Sequence, residues 1–167
     1  FNKIIFKKNF FSITKINLKN LDQIKKNSIL LYTGKSRIAD KISESKVKNI
    51  RKEKSINALK QIYSICNEAE KLIFSKKIDL KKLGKLLNIS WENKKKLSRK
   101  VSNNFINQHM KIIKKNNSYG AKVLGAGGGG FIFVLAHKKF HKKIINETGL
   151  LKVDFDFDKK GTNFRKV

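Results

Sequence analysis

The chain has 167 residues, 40 of them Lys or Arg and 12 Asp or Glu, for a formal net charge of +28. That length fits one domain with a sizeable core, and without an apolar run of about 18 residues the sequence predicts no membrane-spanning helix and no membrane partner. The single cysteine, Cys66, excludes an internal disulfide framework and suits a reducing, cytoplasmic compartment.

The charge invites a nucleic-acid reading, but its distribution argues against a specific one. Only Arg37, Arg51, Arg99 and Arg165 are arginine, the usual reader of phosphate and guanine. The lysines are spread along the chain rather than gathered in a stripe. The whole composition is rich in Lys, Asn, Ile and Phe and lacks proline, as A+T-rich coding would produce without any partner. The sequence therefore predicts bulk attraction to polyanions and no specific nucleic-acid site.

In chain order, Phe1 to Leu18 reads as two short strands with Asn9 near their turn. Leu21 to Lys26 reads as a polar connection. Ser28 to Tyr32 (SILLY) is an apolar run of buried-strand length, ending in Thr33-Gly34-Lys35-Ser36-Arg37. A strand that delivers a hydroxyl, a glycine and an arginine to its end can build an anion site; it can equally be a solvated turn. Ile38 to Phe74 has helical spacing with a break near Asn49, and Cys66 falls on its apolar face as a buried core thiol. Asp79 caps a short helix, Leu80 to Leu87, and Ser90 a second one carrying Trp91. Asn104 to Lys115 is a further helix, with His109 beside its apolar face in a structural role.

Tyr119 to Leu124 is a strand that enters the glycine run Gly125-Ala126-Gly127-Gly128-Gly129-Gly130, which holds five of the ten glycines. Gly125-x-Gly127-x-x-Gly130 has dinucleotide-fingerprint spacing but lacks the required helix after it, because Phe131 to Leu135 is strand-like. The Walker pattern fails too, since Phe131 and Ile132 stand where Lys and Ser/Thr are needed. Two readings remain: a loop whose N–H groups converge on an anion, and a loop where backbones pack closely. His137 to Glu147 is a helix in which His137 and His141 have metal-ligand spacing but lysine neighbours. Leu151 to Phe157 alternates, placing Asp154, Asp156 and Asp158 on a solvated strand face, and Thr162 to Val167 is a last strand. This order implies an α+β fold, a mostly antiparallel sheet with helices packed on one face.

The stretch YGAKVLGAGGGGFIFVLA resembles the third conserved motif of the GHMP small-molecule kinases. SILLYTGKSRIAD, SWENKKKLSRKVSN and FDFDKKGTNFRKV resemble, in order, segments of the branch that phosphorylates heptose 7-phosphate. Lys35 departs from that branch, where a small or apolar residue stands. The resemblance implies a C-terminal kinase domain over 28–167, with 1–27 as strands left from an N-terminal domain carrying an ATP-phosphate loop and an aspartate base. It implies ATP and Mg²⁺ as cofactors and a sugar phosphate as acceptor, with fucose kinase-like or other GHMP chemistry as the alternative. It places Gly125, Ala126, Gly127, Gly128, Gly129 and Gly130 at the phosphate end of the cleft. Thr33, Gly34, Ser36, Arg37 and Lys122 would then lie on the acceptor side. No base is found here, so the missing N-terminal domain is an expected partner and the chain alone is expected to be inactive. A polyanion-binding module without catalysis is the reading from another class.

Overall fold

The computed structural model describes residues 2–16, 19–35 and 39–158. The expected final strand, 162–167, lies outside them. A hairpin opens the chain: β1 (Asn2–Phe6) pairs antiparallel with β2 (Phe11–Lys15). The expected polar connection is instead a short helix, α1 (Leu21–Lys26). Asn27 Nδ2 donates to Gln23 O and Ser28 Oγ to Ile24 O, so polar side chains close this turn without an apolar face.

A four-stranded antiparallel sheet has the order β4 (Ser118–Val123), β5 (Phe131–Ala136), β3 (Ser28–Tyr32), β6 (Leu151–Val153). In register, Ile29 opposes Val134, which opposes Ala121, and Leu31 opposes Ile132, which opposes Val123. Side chains alternate across a sheet, so these six share one face, and all are buried. Against that face pack Ile106 and Ile113 of α5 (Asn104–Lys115), Ile144 of α6 (His141–Thr148), Trp91 of α4 (Leu80–Leu97) and Ile42 of α2 (Ala39–Asn49). The α+β expectation, helices on a mostly antiparallel sheet, describes this architecture.

The long helical region is α2 followed by α3 (Glu53–Phe74), with the break just after Asn49. α3 buries Ser55, Ala58 and Ile65, a stripe of mainly small side chains, and packs on α4. Ile56, Leu59, Tyr63 and Cys66 form a second stripe turned outward, with Tyr63 72% exposed. Cys66 is thus an exposed thiol and not the expected core residue. Both stripes satisfy helical periodicity, and the closer approach permitted by Ser55 and Ala58 decides which one faces α4.

The two helices expected around Asn88 are one. Asp79 caps α4 as expected, its Oδ1 accepting from Lys82 N at 2.9 Å, and the helix runs through Asn88 and Ser90 to Leu97. Both residues have partners across the interface with β4. Asn88 Oδ1 accepts from Ala121 N at 3.0 Å and its Nδ2 donates to Tyr119 O at 3.4 Å. β4 is an edge strand, and this amide takes the place of a neighbouring strand. The approach is close because Gly84 meets Gly120: a Cβ built on Gly120 would stand 1.9 Å from Gly84 O. His137 to Glu147 is also divided, into a 3₁₀ turn (Lys138–Phe140) and α6. His137 caps the turn through Lys139 N, and a ring nitrogen of His141 lies 2.9 Å from Ala136 O. Asp154 pairs with Lys152 and Asp156 with Lys25, and only residues 151–153 of the alternating segment are strand. Among the described residues no helix is long and apolar enough to cross a membrane.

Gly120→Ala is expected to lower the unfolding free energy by about 3 kcal/mol, because the new methyl meets backbone that cannot rotate away. Asn88→Ala is expected to cost about 1–3 kcal/mol by leaving Ala121 N–H unpaired at the edge. Urea denaturation measures both, and a Gly120→Ala midpoint equal to wild type would show that α4 and β4 part freely.

Candidate functional site

The turn between β4 and β5 is set by what surrounds it. Gly127 and Gly129 are buried. A Cβ on Gly127 would meet Val101 O at 2.6 Å, and one on Gly129 would meet Lys35 O at 2.7 Å. Glycine is therefore required at both by close approach, and Gly127 also has φ +106°. Gly128 N donates to Val101 O at 2.7 Å and Gly130 N to Lys35 O at 3.2 Å. Of the two sequence readings, these contacts match close backbone packing at the centre of the loop. Those two N–H groups point into the protein.

The carbonyls of the loop are held as firmly. Asn103 has two functions: its Oδ1 caps α5 through Ile106 N at 2.9 Å, and its Nδ2 donates to Gly128 O at 3.1 Å. Thr33, 97 positions before Gly130, donates its N–H and its hydroxyl to Gly130 O at 2.9 and 2.8 Å. At the other end Lys94 Nζ of α4 donates to Gly125 O, and Lys46 Nζ of α2 lies 3.4 Å from Ala126 O.

Gly125 is exposed at the mouth of the loop, and Ala126 packs against the core. Gly127 to Gly130 are wedged between Val101, Ile42 and Lys35. Thr33 is buried and spends its hydroxyl on the loop. Gly34 is exposed, with φ +65°. Ser36 and Arg37 lie outside the described residues. The fold brings Thr33, Gly34 and Lys35 against the Gly129–Gly130 end, joining the two segments singled out in sequence.

Lys122 reaches elsewhere. Its Nζ donates to Ser90 Oγ at 2.7 Å, beneath α4. Burial there lowers its pKa below the ordinary lysine value, the larger effect, against a weaker opposing charge interaction with Cys66. Lys46 and Lys94 were not legible as site residues. Among 40 basic side chains nothing in the spacing marks these two; only the tertiary approach of α2 and α4 to the loop does.

Residues 69–147 match the family model for the GHMP kinases C terminal region. Over those residues the chain is similar to the C-terminal region of the GHMP kinases. It is 30% identical, over 161 residues, to D-glycero-alpha-D-manno-heptose 7-phosphate kinase of Campylobacter jejuni, covering 93% of this chain and 47% of that protein. The chain thus spans about half the length of the curated relative it matches. In fold it is similar to the mevalonate kinase of Methanococcus jannaschii (TM-score 0.68, 23% identity, 90% of this chain and 45% of that one). It is also similar to a D-glycero-D-manno-heptose 1-phosphate kinase from Bacteriodes thetaiotaomicron (TM-score 0.61, 14% identity, 91% and 40%).

Gly127→Ala is expected to cost about 3 kcal/mol, through positive φ and the clash with Val101 O. Gly34→Ala, with nothing within 4 Å of the new Cβ, should cost about 1 kcal/mol from its φ alone. Equal losses in urea melts would remove the packing argument. In ¹³C-methylated protein followed by NMR, Lys122 is expected to lose its proton at lower pH than the surface lysines. Because its folded pKa is depressed, the unfolded chain binds more protons between that pKa and the ordinary lysine value. The Lys122 contribution to stability therefore rises with pH across that window.

Proposed function

We propose that this chain is the C-terminal half of an ATP-dependent sugar kinase that transfers the γ-phosphoryl group of ATP to a heptose phosphate, as the named activity of its Campylobacter relative suggests. The observation that carries the reading is the meeting of the Thr33-Gly34-Lys35 end of β3 with the glycine loop. Those are two of the segments on which the kinase resemblance rests. ATP as donor sets the reaction in the cytoplasm.

Phosphoryl transfer asks a protein mainly to position two substrates and to stabilise charge on the transferred group. This half offers a rigid loop whose conformation is fixed by Thr33, Val101, Lys35 and Asn103, and cations on its rim. Arg37 follows the loop-contacting segment, and its planar fork suits a phosphate of the acceptor. Mg²⁺ would neutralise charge on the transferred phosphoryl group in such a reaction. Among the described residues no three His, Cys, Asp or Glu side chains stand together as a metal site.

The hairpin supports the same division. Ile4, Ile5, Phe6, Phe10, Phe11 and Ile13 are all exposed, Phe6 at 78%. A two-stranded hairpin with apolar side chains bare is unstable in water on its own, so it belongs to the sheet of an N-terminal domain. Asn20 is buried and donates to Ser75 O at 2.9 Å, and Lys3 of the hairpin pairs with Glu70 of α3 at 2.6 Å, so this first segment is also anchored to the C-terminal domain while its apolar side chains stay bare.

The test is a chimera in which this chain replaces the corresponding half of the Campylobacter enzyme. With ATP and Mg²⁺ it is expected to phosphorylate heptose 7-phosphate, while the 167-residue chain alone does not turn over. Arg37→Ala in the chimera is expected to lose about 100-fold in kcat/KM for the phosphorylated acceptor. Turnover by the chain alone, or an Arg37→Ala enzyme with unchanged kinetics, would overturn the assignment concerned.

A further inference from the structure

We propose that the groove between α4 and α5 binds an anionic saccharide, at a site separate from the glycine loop. The cavity there measures about 660 Å³, and no residue of the loop lines it. That volume lies within the range of small-molecule sites. Its walls are two helical stripes. Asn104, Asn107, Lys111 and Lys114 recur at three- and four-residue spacing along α5, and Asn88, Glu92 and Lys95 do so along α4. The α5 stripe runs about 15 Å at the rise of an α-helix, so the groove is elongated. The buried side chains of Trp91, Ile113 and Ala121 make its base.

Trp91 shows that the base of the groove asks for a polar ligand. Its side chain is buried, with 2% of the residue exposed, yet its indole N–H makes no hydrogen bond among the described residues. Among those residues no side-chain nitrogen sealed from solvent lacks a partner. This N–H therefore keeps contact with solvent, and it does so through the groove that Trp91 lines. An indole N–H only donates, so what it takes there is an acceptor oxygen. The walls add Asn104, Asn107 and Gln108, planar amides that each donate and accept. Asn107 Oδ1 accepts from Ser102 Oγ at 2.8 Å, which fixes that amide and leaves its NH₂ group as a donor. Paired hydroxyls match such amides, whereas an apolar ligand would leave them unpaired. Charge is confined to one end. Glu92 and Lys95 pair with each other at 2.8 Å, while Lys111 and Lys114, near the end of α5, are exposed and have no carboxylate partner among the described residues. A ligand that meets both stretches carries hydroxyls along its body and a carboxylate or phosphate at one end: a sugar acid or a sugar phosphate.

The experiment titrates the 167-residue chain with D-glucuronate and follows the Trp91 indole proton by NMR, a signal free of overlap because the chain has a single tryptophan. A saturable shift is expected. D-Glucose, which lacks the charge, is expected to bind about tenfold more weakly, and acetate, which lacks the hydroxyls, to leave the proton unmoved. The Lys111→Gln, Lys114→Gln double variant should bring glucuronate and glucose within about twofold of each other. Gln108→Ala, at an exposed position, should weaken both by about fivefold. The Lys54→Gln, Lys60→Gln double variant removes two exposed cations of α3 outside the groove and is expected to leave the affinity within about twofold, since exposed distant charges are screened. An indole proton that glucuronate does not move, the same shift produced by acetate, or an equal loss in the α3 double variant would overturn the site and leave only bulk charge. Repeating the titration with glucose 6-phosphate identifies the acid: tighter binding assigns the site to sugar phosphates, weaker binding to sugar acids. Failure of the site would leave the kinase reading intact, because that reading is decided by turnover of the chimera.

Discussion

The contact on which the rest depends is the backbone-to-backbone approach of α4 to the edge of β4. Gly84 and Gly120 bring the two elements close enough for Asn88 to pair with Ala121 N and Tyr119 O. Remove that approach and several features lose their support together. Trp91 would no longer reach the core beside Ala121 and Val123, Lys122 would lose Ser90, and Lys94 would no longer reach the loop. α3 is tied to the same arrangement, because it packs on α4. A single pair of glycines thus couples helix packing to the geometry of the candidate site.

The glycine loop is the second place where small side chains set the architecture. Val101, in the 3₁₀ turn at Arg99–Val101, accepts from Gly128 N, while Asn103, two residues later, donates to Gly128 O. Lys35 and Thr33 hold the other side. The segment after α4, the start of α5 and the end of β3 are therefore joined through the loop. Its order comes from protein contacts before any ligand is present, which is the kind of preorganisation that phosphoryl transfer rewards.

Much of the architecture could be read from the sequence, because its causes are local. The α5 boundaries follow from Asn103 as cap and a strong apolar periodicity, and β5 follows from five successive aromatic and aliphatic residues after the glycines. The glycine run marked the site region for the same reason: its backbone needs are written in composition. What escaped was non-local. Asn88 looked like a helix end because asparagine often stops helices, yet its amide is used on β4. Cys66 looked buried because two apolar stripes on α3 have equal periodicity, and only α4 chooses between them. Gly84, isolated within an otherwise good helix, was the one signal of the close contact available in the chain itself. Lys46 and Lys94 gave no signal, since their significance lies in where two helices point.

The covered edge of β4 also determines where this protein can recruit more sheet. Among the described residues, with Asn88 occupying that edge and only a three-residue strand, β6, at the other, the four-stranded sheet offers little template for an incoming strand. The β1–β2 hairpin is the opposite: a two-stranded ribbon, with no third strand beside it among the described residues, whose side chains are apolar and exposed. Among the described residues the sheet that carries the glycine loop leaves little edge open, while the hairpin leaves most of its strand surface and apolar side chains bare. That asymmetry carries a hazard: if nothing covers them, the hairpins of separate chains are the edges most ready to join each other.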